Sequence, residues 1–294
     1  MAICAICKKE KSNFTKEHII PYALGNRLFV INCVCKKCNS NLGDKIDAKI
    51  SNSFMACIFR KVNKLPGQSG KVPIGMPEGK LEDGRRVIKK DGKYVPKTHV
   101  EIKDGTMNLS ATSKDEALEI LKGFYKKRGK EVPQRVKDEI LNKKEDIRET
   151  KINFNFSFDI YDYAMETLKI AYETFIYYFD VNCLKDKRID KLRDVIYRYI
   201  YNDEMNRKYI AWHCVLLKTE YKEKLIEISK LLKKISPSDV CHIIKIERDE
   251  NSNKTYFFVL INGSLPMCFF TKTNKKYALN KLILVTKENK IFEL

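Results

Sequence analysis

No stretch of this chain approaches the ~18–20 consecutive apolar residues of a membrane span, which excludes an integral α-helical membrane protein. The first residues, MAICAICKKE, reach a lysine pair too early for the apolar core of a secretory leader. A cytoplasmic protein is therefore expected. Phosphate-cradling patterns are missing too: the sequence has neither Gly-x4-Gly-Lys-Ser/Thr nor Gly-x-Gly-x2-Gly, so no nucleotide-binding loop is expected. There is no internal repeat, and no low-complexity segment beyond an abundance of lysine.

Acidic residues are the other shortage. There are 38 Asp+Glu against 57 Lys+Arg, a net charge of +19. Such a surplus attracts polyanions, either nucleic acid or an acidic membrane face. Lys, Ile, Asn and Tyr are all abundant, as in an A·T-rich coding sequence, so the charge alone does not decide for a binding function. Hydrophobic residues at 44% and aromatics at 11% suffice for real cores. A length of 294 residues predicts two or three folded domains.

The ten cysteines need an explanation other than disulfides in a reducing compartment. Five of them, Cys4, Cys7, Cys33, Cys35 and Cys38, fall at the start of the chain. The others, Cys57, Cys183, Cys214, Cys241 and Cys268, are scattered in apolar company and read as packed thiols.

Downstream, residues 51–65 read as a short helix. Residues 66–112 read as hairpins punctuated by Asp83-Gly84, Asp91-Gly92 and Asp104-Gly105. Ser113 with Glu116 forms a capping-box pattern ahead of the apolar positions Ala117, Leu118, Leu121 and Phe124. A solvated helix is expected after Pro133, and a strand over 151–158, where Ile152, Phe154, Phe156 and Phe158 alternate. An aromatic-rich helix over 160–180 reads as core. A basic amphipathic helix over 186–200 reads either as a solvated face or as a phosphate track. Strands follow near 209–218, 241–248, 254–262, 265–272 and 281–287, with a helix near 220–233 and a turn at Asp249–Asn253.

Cys4-x2-Cys7 and Cys35-x2-Cys38 supply four thiolates for one tetrahedral zinc. Between the pairs lies Glu17-His18-Ile19-Ile20-Pro21, then Leu24-Gly25. Asn39 directly follows the second pair, and Leu42-Gly43 comes after it. Over residues 4–47 the chain resembles the HNH endonucleases, a branch of the ββα-metal nucleases. It is most similar to the group reading C-x2-C, E-H-I-I-P, then V-C-x2-C-N-x3-G.

The resemblance implies an α+β protein with an N-terminal zinc-stapled ββα-metal module. A larger mixed α/β accessory region follows it and ends in antiparallel strands. The implied domains are a nuclease module over 1–60 and a recognition or regulatory region over 61–294, with a sub-boundary near 150. The resemblance also implies a structural zinc on Cys4, Cys7, Cys35 and Cys38, with no open position for water. His18 is the implied general base. Glu17 and Asn39 hold a catalytic divalent cation, for which oxygen ligands suit Mg²⁺ or Mn²⁺. Asn32 steers His18 through a hydrogen bond.

The chain departs from the pattern at several places. Gly43 stands where many relatives carry a second histidine, leaving Asp44 or Asp47 to complete the metal shell. Gly25-Asn26 replaces a Gly-Gly pair, and asparagine tolerates the left-handed conformation such a turn needs. Cys33 breaks the C-x2-C frame and reads as a packed thiol.

Structural alternatives stand beside these roles: a salt bridge from Glu17 to a lysine, a helix cap for Asn39, and ordinary packing for His99, His213 and His242. The expected function is hydrolysis of DNA phosphodiester bonds, most readily of double-stranded DNA, in restriction or antiphage defence. The alternatives are a non-catalytic zinc-dependent nucleic-acid-binding protein, and a nuclease effector silent until a partner or ligand activates it. A second copy of the chain or a regulatory protein is the expected partner besides nucleic acid.

Overall fold

Two pairs of strands and a helix make up the N-terminal segment of the computed structural model, which describes residues 2–103, 106–144, 151–155, 159–201, 214–216, 226, 240–261, 265–286 and 290–294. Strands β1 (Ala2–Ile3) and β2 (Glu10–Lys11) form a short antiparallel hairpin. Strands β3 (Phe14–His18) and β4 (Val30–Cys35) form a second, with a bulge between Thr15 and Glu17. Helix α1 (Lys36–Leu42) starts where β4 ends, passes through a π-helical stretch at Gly43–Asp47, and continues as α2 (Ala48–Ser51). π-helical turns are rare and concentrate at functional sites; this one carries Asp44 and Asp47. Helix α3 (Phe54–Val62) follows, capped by Ser53, whose hydroxyl accepts from Ala56 N–H.

The contacts divide the chain into two compact units, residues 1–73 with 158–294, and residues 74–157. These units cut the chain differently from the 1–60 and 61–294 division expected above.

The smaller unit holds the hairpin-rich stretch. Strands β5 (Glu78–Leu81), β6 (Arg86–Lys90) and β7 (Lys93–Pro96) pair in order, and β8 (His99–Lys103) pairs with β9 (Thr106–Ser110). Both central residues of the β6–β7 turn, Asp91 and Gly92, have positive φ, as a two-residue hairpin turn of this kind demands. Helix α4 (Lys114–Lys126) is capped by Ser113, but Glu116 does not close the box on Ser113 N–H: its carboxylate accepts from Thr112 N–H and hydroxyl and from Thr98. Helix α5 (Gln134–Asn142) follows Pro133, and β10 (Ile152–Asn153) returns to pair with β5. Phe156 and Phe158 of the expected 151–158 strand lie outside the described residues.

The larger unit is centred on α6 (Ile160–Phe179), which Asp159 caps at Tyr161 N–H. Every residue from Tyr163 to Ile176 is buried, which a helix achieves only when covered all round. On one side Phe175 packs edge-on against Phe257. On another, the Tyr172 hydroxyl donates to Ala5 O in the N-terminal segment. Helix α7 (Lys187–Tyr201) runs beside it, with Ile189, Leu192, Ile196 and Ile200 buried at helical spacing.

The remainder is one antiparallel sheet. Its strands are β11 (Cys214–Leu216), β12 (Val240–Asp249), β13 (Lys254–Ile261), β14 (Leu265–Lys272), β15 (Lys281–Thr286) and β16 (Ile291–Glu293), in spatial order β11-β14-β13-β12-β15-β16. The first five coincide with the strands expected from the sequence, and the short β16 is additional to them. Of the expected helix over 220–233 only Ile226, which is helical, belongs to the described residues. One buried core joins Ile6, Ile19, Phe29 and Leu42 of the first segment to Leu168 and Phe175 of α6 and Phe257 and Phe269 of the sheet. The N-terminal module therefore does not bury its apolar side chains alone.

Candidate active site

The four paired cysteines converge. Cys4 and Cys7 sit in the β1–β2 turn, Cys35 ends β4 and Cys38 lies in the first turn of α1. Their Sγ atoms all lie within 4.8 Å of one another, and a tetrahedral thiolate site with ~2.3 Å metal–sulfur bonds needs sulfurs that close. Two further groups hydrogen-bond the sulfurs: Cys35 N–H donates to Cys4 Sγ at 3.3 Å, and Tyr201 at the end of α7 shares a 3.3 Å bond with Cys38 Sγ. The Cys4 thiol is pulled down to about 4, first by the hydrogen bond from Cys38 and then by backbone N–H groups such as that of Cys35. The set can hold a metal ion. Cys33 stays outside it as a half-buried thiol, pushed up to about 12 by burial. Cys183 and Cys268 are buried packed thiols as expected, whereas the side chains of Cys214 and Cys241 lie outside the described residues.

A cleft of about 330 Å³ is lined among others by Glu17 and His18 of β3, Asn39 of α1, and Asp44, Asp47 and Arg60. His18 ends β3 and meets Tyr22 edge-on, with ring centroids 5.4 Å apart. Burial first, then the charges of Lys169, Lys16 and Arg27, push its imidazole down to about 4. The ring is therefore neutral at pH 7, the form that accepts a proton. Asn39 is not a helix cap, because α1 begins after Cys35. Its Nδ2 donates to Lys16 O, the carbonyl at the β3 bulge, at 2.7 Å, and Oδ1 has no hydrogen-bond partner among the described residues.

Beneath the cleft lies a charge cluster that no local motif announces. Lys169 of α6 is fully buried, and its ammonium donates to His18 O at 2.9 Å and Asp47 Oδ1 at 2.8 Å. It also sits 2.9 Å from Glu17 Oε1 and 3.7 Å from Glu173. Burial would lower the lysine, but the carboxylates of Asp47, Glu17, Glu173 and Glu166 outweigh it and hold the ammonium charged. Glu17 is 2% exposed. Burial raises it to about 7 against the pull of Lys169. The salt-bridge alternative for Glu17 is thus realised, with a lysine from a distant helix, while Glu17 still lines the cleft. Glu166 and Glu173 have no hydrogen-bond partner for either carboxyl oxygen among the described residues. Burial pushes both well above the usual carboxylate range, against the pull of Lys169.

Asn32 is not brought to His18. The register puts it two residues beyond Val30, the partner of His18, but its side chain is exposed and makes no hydrogen bond to His18 among the described residues. The loop after His18 is held instead by Asn26, which is fully buried. Its Nδ2 donates to Ile20 O and Phe29 O, and its Oδ1 accepts from Phe29 N–H. The positive φ of the turn falls on Gly25, at +99°, rather than on Asn26. His242 of β12 reaches the same loop, its Nε2 lying 2.9 Å from Leu24 O.

Residues 4–55 match the family model described as HNH endonuclease. No curated protein and no solved structure gives a significant match to the chain. The matched segment includes both cysteine pairs, Glu17, His18 and Asn39, and ends in the first turn of α3. The chain therefore carries at its N-terminus a domain of the HNH endonuclease family, built around a four-cysteine cluster.

Proposed function

We propose that this protein is a divalent-cation-dependent endonuclease that hydrolyses DNA phosphodiester bonds, with His18 as the general base. The observation that carries this reading is the cleft that gathers His18, Glu17 and Asn39 within the segment matching the HNH family. The neutral His18 imidazole takes the proton of the attacking water. A bound phosphodiester brings negative charge beside the ring and raises its affinity for that proton.

Mg²⁺ or Mn²⁺, when bound, supplies positive charge for the phosphate and the leaving oxygen. Asn39 would hold it through Oδ1, and Glu17 through the oxygen that Lys169 does not take. Asp44, exposed on the same cleft, would complete the shell directly or through water. Asp47 is committed to Lys169. Zinc in the four-cysteine cluster is the structural ion that ties the first hairpin to α1. The steering role implied for Asn32 falls to Asn26 and Lys169, which hold the backbone around His18.

A groove of about 300 Å³ between α7 and the sheet supports a nucleic-acid substrate. Lys187, Arg188, Lys191, Lys254 and Lys272 line it around Phe270. Lys254 and Lys272 face each other across β13 and β14, a like-charge pairing that a bound polyanion relieves. Double-stranded DNA, a cytoplasmic setting, a role in restriction or antiphage defence, and a second copy or regulatory protein as partner complete the proposal. Among the described residues no helix is long and apolar enough to cross a membrane. A second reading, an effector silent until a partner or ligand engages it, is favoured by one contact: Lys169 holds Glu17 Oε1, so a cation must compete for that carboxylate.

The test is plasmid cleavage by the purified protein and its His18→Ala variant with Mg²⁺, Mn²⁺ or EDTA. Metal-dependent cutting lost in the variant supports the nuclease. Binding without cutting by either protein favours the binding module. Cutting that appears only after a cofactor or partner is added favours the silent effector.

A further inference from the structure

One wall of the cleft lies outside the segment that matches the HNH family. It is built by Arg60 on α3 and by the loop at Gly67, Gln68 and Ser69. Leu65 N–H donates to Arg60 O and turns the chain back at the end of α3. Arg60 is 5% exposed. Its Nη1 donates to Ser51 O, 3.0 Å away at the end of α2, where a helix leaves carbonyls without intrahelical partners. That one bond orients the guanidinium.

The rest of the fork is unused. Nε is buried with no hydrogen-bond partner, and among the described residues only Ser51 accepts from this side chain. An arginine cannot shed its charge, and leaving buried donors of a charged group unmade is costly. The carboxylates that line the same cleft do not serve it: Glu17 and Asp47 are held by Lys169, and Asp44 makes no ion pair with it. The loop is also shaped around the guanidinium. A Cβ placed on Gly67 would lie 2.7 Å from Arg60 Nη2, so the residue at 67 must lack a side chain for Arg60 to stay where it is.

We propose that Arg60 is a phosphate-binding residue of the cleft, taking non-bridging oxygens of a backbone phosphate of the nucleic-acid substrate. A planar fork of donors matches such oxygens better than a point charge does. The identity of the anion rests on the nuclease reading; the unpaired guanidinium in the cleft does not. The subsite uses residues of this chain beyond the family segment.

The test measures binding of short labelled DNA and RNA by protein carrying His18→Ala, which holds the substrate uncut. Adding Arg60→Gln should weaken binding ~10-fold, the value of a charge-assisted hydrogen bond, and lower the slope of log affinity against log salt by ~0.9 for a duplex. Arg60→Lys keeps the charge without the fork and should fall between. Gly67→Ala displaces the guanidinium at unchanged net charge and should weaken binding as well. Lys90→Gln, an exposed charge removed from the smaller unit, is the control and should change affinity less than twofold.

Full affinity and an unchanged salt slope in Arg60→Gln would overturn the subsite and leave Arg60 as a clip for α2. Should Arg60→Gln unfold, undiminished binding by Gly67→Ala overturns it instead. A parent that binds and whose wild type cuts, with all variants equal to it, defeats the subsite alone. A parent that neither binds nor cuts defeats the nuclease reading and the subsite together.

Discussion

The N-terminal module and helix α6 meet at one site, yet they encode it in opposite ways. In the module, chemistry and spacing are local. Two cysteine pairs, one histidine and one asparagine fall within 36 residues, and a metal site forces such residues to keep fixed intervals. In α6, the decisive residue, Lys169, stands 151 positions from the His18 carbonyl that it holds. Its helix looks like plain core. The difference teaches that the front of this site is a portable motif, whereas its support belongs to the whole of the larger unit.

The largest expected effect lies at the metal. Cys35→Ser or Cys38→Ser should remove zinc and unfold residues 1–50, because a structural zinc contributes about 10–16 kcal/mol of apparent binding energy to such modules. His18→Ala should keep both zinc and fold. Metal content by atomic absorption, with circular dichroism on the same samples, checks this, and equal zinc loss in all three variants would erase the separation between the zinc site and the cleft.

Next comes the buried charge. Lys169→Met strands Asp47 and Glu17 without a cation and should cost about 3–5 kcal/mol in denaturant unfolding. Glu166→Met should cost little or stabilise, since burial disfavours the charged form of that carboxyl and neither of its oxygens has a hydrogen-bond partner among the described residues. A Glu166 variant as damaging as the Lys169 variant would mean that the cluster is a tightly paired network and that Glu166 is ionised.

Two smaller effects probe the loop where the module meets the sheet. His242 is fully buried against Leu24 O, and burial pushes it down to about 4 from an ordinary 6.5. The fold favours the neutral ring. This contribution is complete above pH ~6.5 and is lost as pH falls toward 4, because the unfolded chain protonates first. The loss amounts to about 3 kcal/mol, and the difference in unfolding midpoint between wild type and His242→Gln across that window reads it. Asn26→Ala should cost about 1–3 kcal/mol by opening three buried hydrogen bonds. It should also slow cleavage while leaving zinc bound, which parallel melting, cleavage and metal assays would register.

How much of this was legible follows from the same contrast. The cysteine cluster, the core helix and all but one strand of the C-terminal sheet follow from spacing and periodicity, whereas the shared cleft of Glu17, His18 and Asn39 is what the family resemblance implies. Asn32 lies exposed on β4 with no hydrogen bond to His18 among the described residues, while the β3–β4 loop is pinned by Asn26, a residue the pattern presents only as a stand-in for glycine. Arg60 is one cation among 57, and nothing local marks it. Lys169 did leave a trace. Glu166, Lys169 and Glu173 recur at intervals of three and four on one face of the helix, a spacing that groups side chains and has no reason to exist in plain core.

The joint construction of the site is tested most directly by hydrogen exchange in Lys169→Met with zinc loading matched to wild type. The account predicts that amides of β3, β4 and the loop between them lose protection by ~100-fold or more, as a loss of about 3–5 kcal/mol implies, while β5 to β9 exchange as before. Unchanged protection in β3 and β4 would contradict it: the module would then hold its own active site, and α6 would be no more than its packing surface.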